Sequence, residues 1–85
     1  MTEFEINKKV AQKLGYIHTK SFDPCNNIEQ AWYIMMKHNI CVTRGDEEDY
    51  NAFLLLTLDG YEWFTEKMVS HKKPFVAAML LFLEV

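Results

Sequence analysis

Eighty-five residues allow one hydrophobic core, and a chain of this length buries only about 60–65% of its unfolded surface on folding. An apolar share of 49% with 14% aromatics excludes a disordered chain. A formal charge of −3, from nine basic and twelve acidic residues, disfavours a duplex nucleic-acid binder, which carries a basic stripe. A single domain over residues 1–85 is expected.

Thr2 and Glu5 have the spacing of a capping box, in which each side chain satisfies a free backbone donor of the other residue. Ile6, Val10, Ala11 and Leu14 recur at helical spacing, and Gly15 suits a left-handed stop, so residues 3–14 read as an amphipathic helix. Ser21, Asp23 and Pro24 mark a loop. Asn26 or Asn27 then caps a second helix whose apolar stripe is Ile28, Ala31, Trp32, Met35 and Met36, closing near His38 and Asn39.

Ile40 to Arg44 is short, β-branched and bounded by Gly45, which predicts a strand. The acidic run Asp46, Glu47, Glu48 and Asp49 connects it to a nearly unbroken apolar segment, Ala52 to Leu58. Asp59-Gly60 is a two-residue hairpin signal, and Tyr61 to Met68 supplies a third strand. Pro74 fits the first turn of a closing helix that runs to Val85. The expected fold is α/β (α+β): a three-stranded antiparallel meander flanked by three helices, in the order ααβββα.

No signal-peptide pattern opens the chain, and Cys25 and Cys41 have neither zinc spacing nor a CxxC motif. Free thiols in a reducing cytoplasm are therefore expected. The apolar run Pro74 to Leu83 is too short to span a bilayer. No membrane association, cofactor or metal is predicted.

Three stretches resemble the phage ABA sandwich domain family, small α/β proteins of bacteriophages and prophages. They are Glu5-Ile6-Asn7-Lys8-Lys9-Val10-Ala11 with Leu14-Gly15-Tyr16, then Ala31-Trp32, then Pro74-Phe75-Val76-Ala77-Ala78-Met79-Leu80. The resemblance implies a sandwich-like fold and a phage origin, with no reaction attached. The closing helix departs from the family pattern in having no polar residue before Glu84.

That helix is apolar around its whole circumference. A helix packed on one sheet needs only one apolar stripe. Either neighbouring helices sandwich it, with Ala77 and Ala78 at the close contacts, or its outer side is an interface. The interface is the favoured expectation, with Phe75, Met79, Phe82 and Leu83 forming a homo-oligomer contact.

The acidic run lacks the spaced ligands of a calcium loop and reads as a solvated tip that can face a partner. Arg44, Tyr61, Trp63, Lys72 and Lys73 are candidates for partner or ligand contact, as stacking and phosphate-binding groups. No glycine-rich phosphate loop accompanies them. His38 and Cys41 are a pair that folding can bring together as base and nucleophile, but a strand cysteine ordinarily serves as a small buried hydrophobe.

The leading expectation is a non-catalytic, phage-encoded binding protein that blocks a host protein, a defence component, in the host cytoplasm. The alternative is an oligomeric sponge that sequesters a nucleotide-derived signal. A hydrolase ranks last.

Overall fold

A computed structural model describes residues 1–45, 48–58 and 60–85; for residues 57, 58 and 62–66 it describes the backbone alone. Three helices and three strands follow in the order α1 (Glu3–Leu14), α2 (Ile28–Lys37), β1 (Ile40–Arg44), β2 (Tyr50–Leu58), β3 (Tyr61–His71) and α3 (Pro74–Glu84). This is the expected ααβββα order, with an antiparallel sheet β1-β2-β3.

Local chemistry fixes the helix ends. The Thr2 hydroxyl accepts from the Glu5 N–H at 3.1 Å, and the Glu5 carboxylate accepts from the Thr2 N–H. Gly15 adopts φ 78°, a left-handed conformation costly for a residue with a Cβ, and closes the helix with Tyr16 N–H donating to Ala11 O. Asn27 caps α2 by accepting from the Gln30 N–H at 3.1 Å. Asn39, at φ 57°, makes the tight link from α2 into β1, and its carbonyl accepts from the Leu55 N–H.

Two strands are longer than the apolar pattern predicts. β2 starts at Tyr50 and β3 continues to His71, because Tyr50 pairs with Arg44 on one side and His71 on the other. The added pair Asn51–Ser70 is polar and joined by a side-chain hydrogen bond of 2.6 Å. Gly45 precedes this end of β2, and a Cβ there would lie 2.8 Å from Asn51 Nδ2. At the far end Leu58 pairs with Tyr61 and Gly60 has φ 81°; Asp59 lies outside the described residues. Between the pairs Phe53–Met68 and Leu55–Phe64 the register shifts, with Leu54 alone facing residues 65–67.

Helix α3 is the centre of the molecule. It packs against all three strands and against both other helices. The sheet covers one side of it, and α1 and α2 cover the other. Val76, Ala77, Ala78, Met79, Leu81 and Phe82 are buried, so its all-round apolarity is matched by all-round cover. This removes Met79 and Phe82 from the expected interface. Met79 is 0% and Phe82 2% exposed within a single chain, and Phe75 and Leu83 are half-buried against the same core. Sandwiching by neighbouring helices, the alternative, accounts for the helix.

Candidate interaction surfaces

The inward face of the sheet carries Ile40 and Val42 of β1, Ala52 and Leu54 of β2 and Val69 of β3, all in or against the core. By the strand period of two, the opposite face carries Cys41, Phe53 and Met68 in one cross-strand row, with Thr43, Asn51 and Ser70 in the next. Among the described residues the helices pack on the other face, where Ile40 and Ala52 share one core with Ile6, Ile34 and Met79.

Helix α2 presents a second surface. Ala31, Ile34 and Met35 face the core, whereas Ile28, Trp32 and Met36 are 62%, 56% and 52% exposed. The single stripe expected from the sequence is therefore two: one at Ala31, Ile34 and Met35, and one at Ile28, Trp32 and Met36 with its own i, i+4, i+8 spacing. Tyr33 is exposed beside the second, with the Lys37 ammonium 5.6 Å from its ring centroid. A cavity of about 290 Å³ lined by Tyr16, Phe22, Tyr33 and Ile34 opens next to it.

A polar network ties the chain termini of three elements together. Lys73, the N-cap residue of α3, donates to Glu3 Oε2 at 2.8 Å and to Asn26 Oδ1 at 3.1 Å. The hydrogen bonds from Lys73 and then Asn26 hold the Glu3 carboxyl below its ordinary range, and the Glu3 contact raises the Lys73 ammonium. Asn7, buried on α1, donates to Asp23 Oδ1 at 2.7 Å and accepts from the Cys25 N–H at 3.3 Å. Burial, reinforced by Glu3 and Asp23, pushes the Cys25 thiol up to about 12.

The other candidate residues are dispersed. Arg44 and Lys72 are exposed at the end of the sheet where Arg44, Tyr50 and His71 align, and Glu48 and Asp49 lie in the connection there. Asp46 and Glu47 lie outside the described residues, as does the side chain of Trp63. Tyr61 is exposed at the opposite end of β3, roughly 30 Å away along the strand. Arg44 and Tyr61 do not share a site in one chain, and Lys73 is held in the network above. Among the described residues no group of His, Cys, Asp and Glu is arranged to hold a metal ion.

His38 and Cys41 are also apart. The His38 ring lies 4.7 Å from that of Phe82, on the α3 side, whereas Cys41 takes an outward position on β1. His38 and Lys13 border a cavity of about 230 Å³ with Leu14, Leu54, Phe82 and Val85. Lys13 Nζ donates to the Phe82 carbonyl at 2.5 Å, satisfying a free acceptor of the last turn of α3. Burial first, then the charges of Lys37 and Lys13, lower the His38 pKa, and its Nε2 is buried with no hydrogen-bond partner among the described residues.

No helix among the described residues is long and apolar enough to cross a membrane. The chain matches no model of a known protein family, no curated protein and no solved structure.

Proposed function

We propose that this chain is a non-catalytic binding protein that acts by occupying a protein partner through the uncovered face of its sheet. The observation that carries the reading is the outward row Cys41, Phe53 and Met68. An antiparallel sheet with one face in water ordinarily alternates apolar-in with polar-out. Here the outward row is apolar, and Leu55 extends it along β2 by the same period. Met68, at the β3 end of the row, is exposed. The resemblance to phage ABA sandwich domains supports a host defence component, met in the host cytoplasm, as the partner. The mixed charges of Arg44, Glu48 and Lys72 then form a polar rim at one end of the contact.

Expression of the tagged chain in a bacterial host, followed by reconstitution with each purified candidate, tests the reading. One stoichiometric partner is expected, bound by the original chain and by a Trp32→Glu variant altered on α2. A Met68→Lys variant, charged on the open face, loses it. Retention by Met68→Lys contradicts the assignment. Extra mass in the nucleotide range by native mass spectrometry, without a protein partner, favours sequestration, with Arg44 and Tyr61 then supplied by different subunits.

A further inference from the structure

We infer that the exposed ridge of α2 is covered by a second copy of this chain, in an antiparallel two-fold pairing of α2 with itself. The inference is independent of the partner proposed for the sheet face, because the two surfaces share no residue. Residues four apart on a helix stack along one line, so Ile28, Trp32 and Met36 form a ridge about 12 Å long with the largest side chain in the middle. A two-fold axis through Trp32 sets Ile28 against Met36 of the partner subunit and the two tryptophans against each other. Such self-complementarity is what an isologous contact requires.

Charge identifies the occupant. Glu29, Tyr33 and Lys37 form the adjacent row, again four apart, with opposite charges at its two ends. The Lys37 ammonium sits over the Tyr33 ring, which keeps it on this flank. A two-fold axis perpendicular to a pair of antiparallel helices reverses their direction but leaves each flank on the same side. Glu29 therefore meets Lys37 of the partner subunit, and Lys37 meets Glu29 of the partner subunit. A parallel two-fold pairing places the two flank rows on opposite sides of the seam, so neither Glu29 meets a Lys37 and this complementarity is lost. The product is an aromatic centre with a charged rim, the usual anatomy of a specific contact. Six exposed side chains on each copy place it at the small end of stable interfaces, so dissociation in the micromolar range is expected.

Sedimentation velocity from about 1 μM to about 1 mM reads the association directly. The expected mass rises from 10.1 kDa toward twice that value with concentration. Trp32→Glu removes the dimer while leaving the far-UV circular dichroism unchanged. Glu29→Lys and Lys37→Glu each weaken association about tenfold, since one reversal acts at two symmetric places. The double variant Glu29→Lys/Lys37→Glu restores it. Both residues are exposed, so this series reports on the contact even where Trp32→Glu alters the fold. A monomer at every concentration overturns the inference. So does a dimer that survives Trp32→Glu with its fold intact, or a double variant as weak as the single ones.

Discussion

The chain has two helices rich in large apolar residues, and they meet opposite fates. Helix α3 is apolar on every side and buried on nearly every side, because it lies between the sheet and the α1/α2 pair. Helix α2 has two apolar stripes and buries one, Ala31, Ile34 and Met35, leaving Ile28, Trp32 and Met36 in solvent. Position in the layers decides this, not hydrophobicity. A middle helix has neighbours on two sides, whereas an outer helix has one. An exposed stripe on an outer helix therefore says more about contact with other molecules than a fully apolar helix in the middle.

The contrast is broken most sharply by truncating one large side chain on each helix. Phe82→Ala in α3 empties a buried site touched by His38 and Lys13 and is expected to cost about 3–5 kcal/mol. Trp32→Ala on α2 is expected to change monomer stability by less than about 0.5 kcal/mol. Urea unfolding of the two variants checks both values, and equal losses would remove the distinction between the helices.

The attachment of α1 to the segment leading into α2 ranks next. Asn7→Ala leaves the Cys25 N–H without its acceptor and is expected to cost about 1–3 kcal/mol in the same assay. With the Cys25 thiol pushed up to about 12 and buried, its alkylation at neutral pH requires opening of the structure. Faster Cys25 labelling in Asn7→Ala, measured by intact mass, accompanies that loss. Thr2→Ala removes the capping box from the exposed start of α1, with an expected cost of about 1 kcal/mol.

The smallest expected effect is electrostatic and lies on the acid side. Glu3 is held below its ordinary value of 4.5 by the hydrogen bonds from Lys73 and Asn26. Its contribution is complete above 4.5 and is lost as pH falls through the lower, folded value. Lys73 is shifted the other way, above 10.5, so the pair is unaffected at neutral pH. A Glu3→Gln variant is expected to show a shallower acid decline of the urea midpoint than the original chain. Identical acid profiles would show that this exposed pair has no role in stability.

The local parts of the fold were legible because their chemistry lies within a few residues. Thr2 with Glu5 and Asn27 announce helix starts by satisfying free backbone donors, Pro74 by lacking one, and Gly15 announces a stop by its left-handed backbone. The start of β2 and the end of β3 were not legible, since Tyr50, Asn51, Ser70 and His71 are held by pairing with one another, not by an apolar pattern. The cover on α3 is a tertiary fact that its own residues do not encode. The outer stripe of α2 was readable as a four-residue ladder, Ile28, Trp32 and Met36, set to one side of Ala31, Ile34 and Met35 around the helix. Arg44 and Tyr61 fall at opposite ends for a topological reason: they pair with the two ends of β2, and successive turns of a meander lie at opposite ends of the strand between them.

Methionine oxidation by dilute peroxide, followed residue by residue by mass spectrometry, tests the contrast between the two helices most directly. Met1, Met36 and Met68 are exposed, whereas Met35 and Met79 are buried. In dilute protein, Met36 and Met68 are expected to oxidise rapidly, and Met35 and Met79 to be protected. Raising the concentration is predicted to protect Met36 alone. Oxidation of Met79 as fast as that of Met36, in folded protein, would contradict the placement of α3 at the centre.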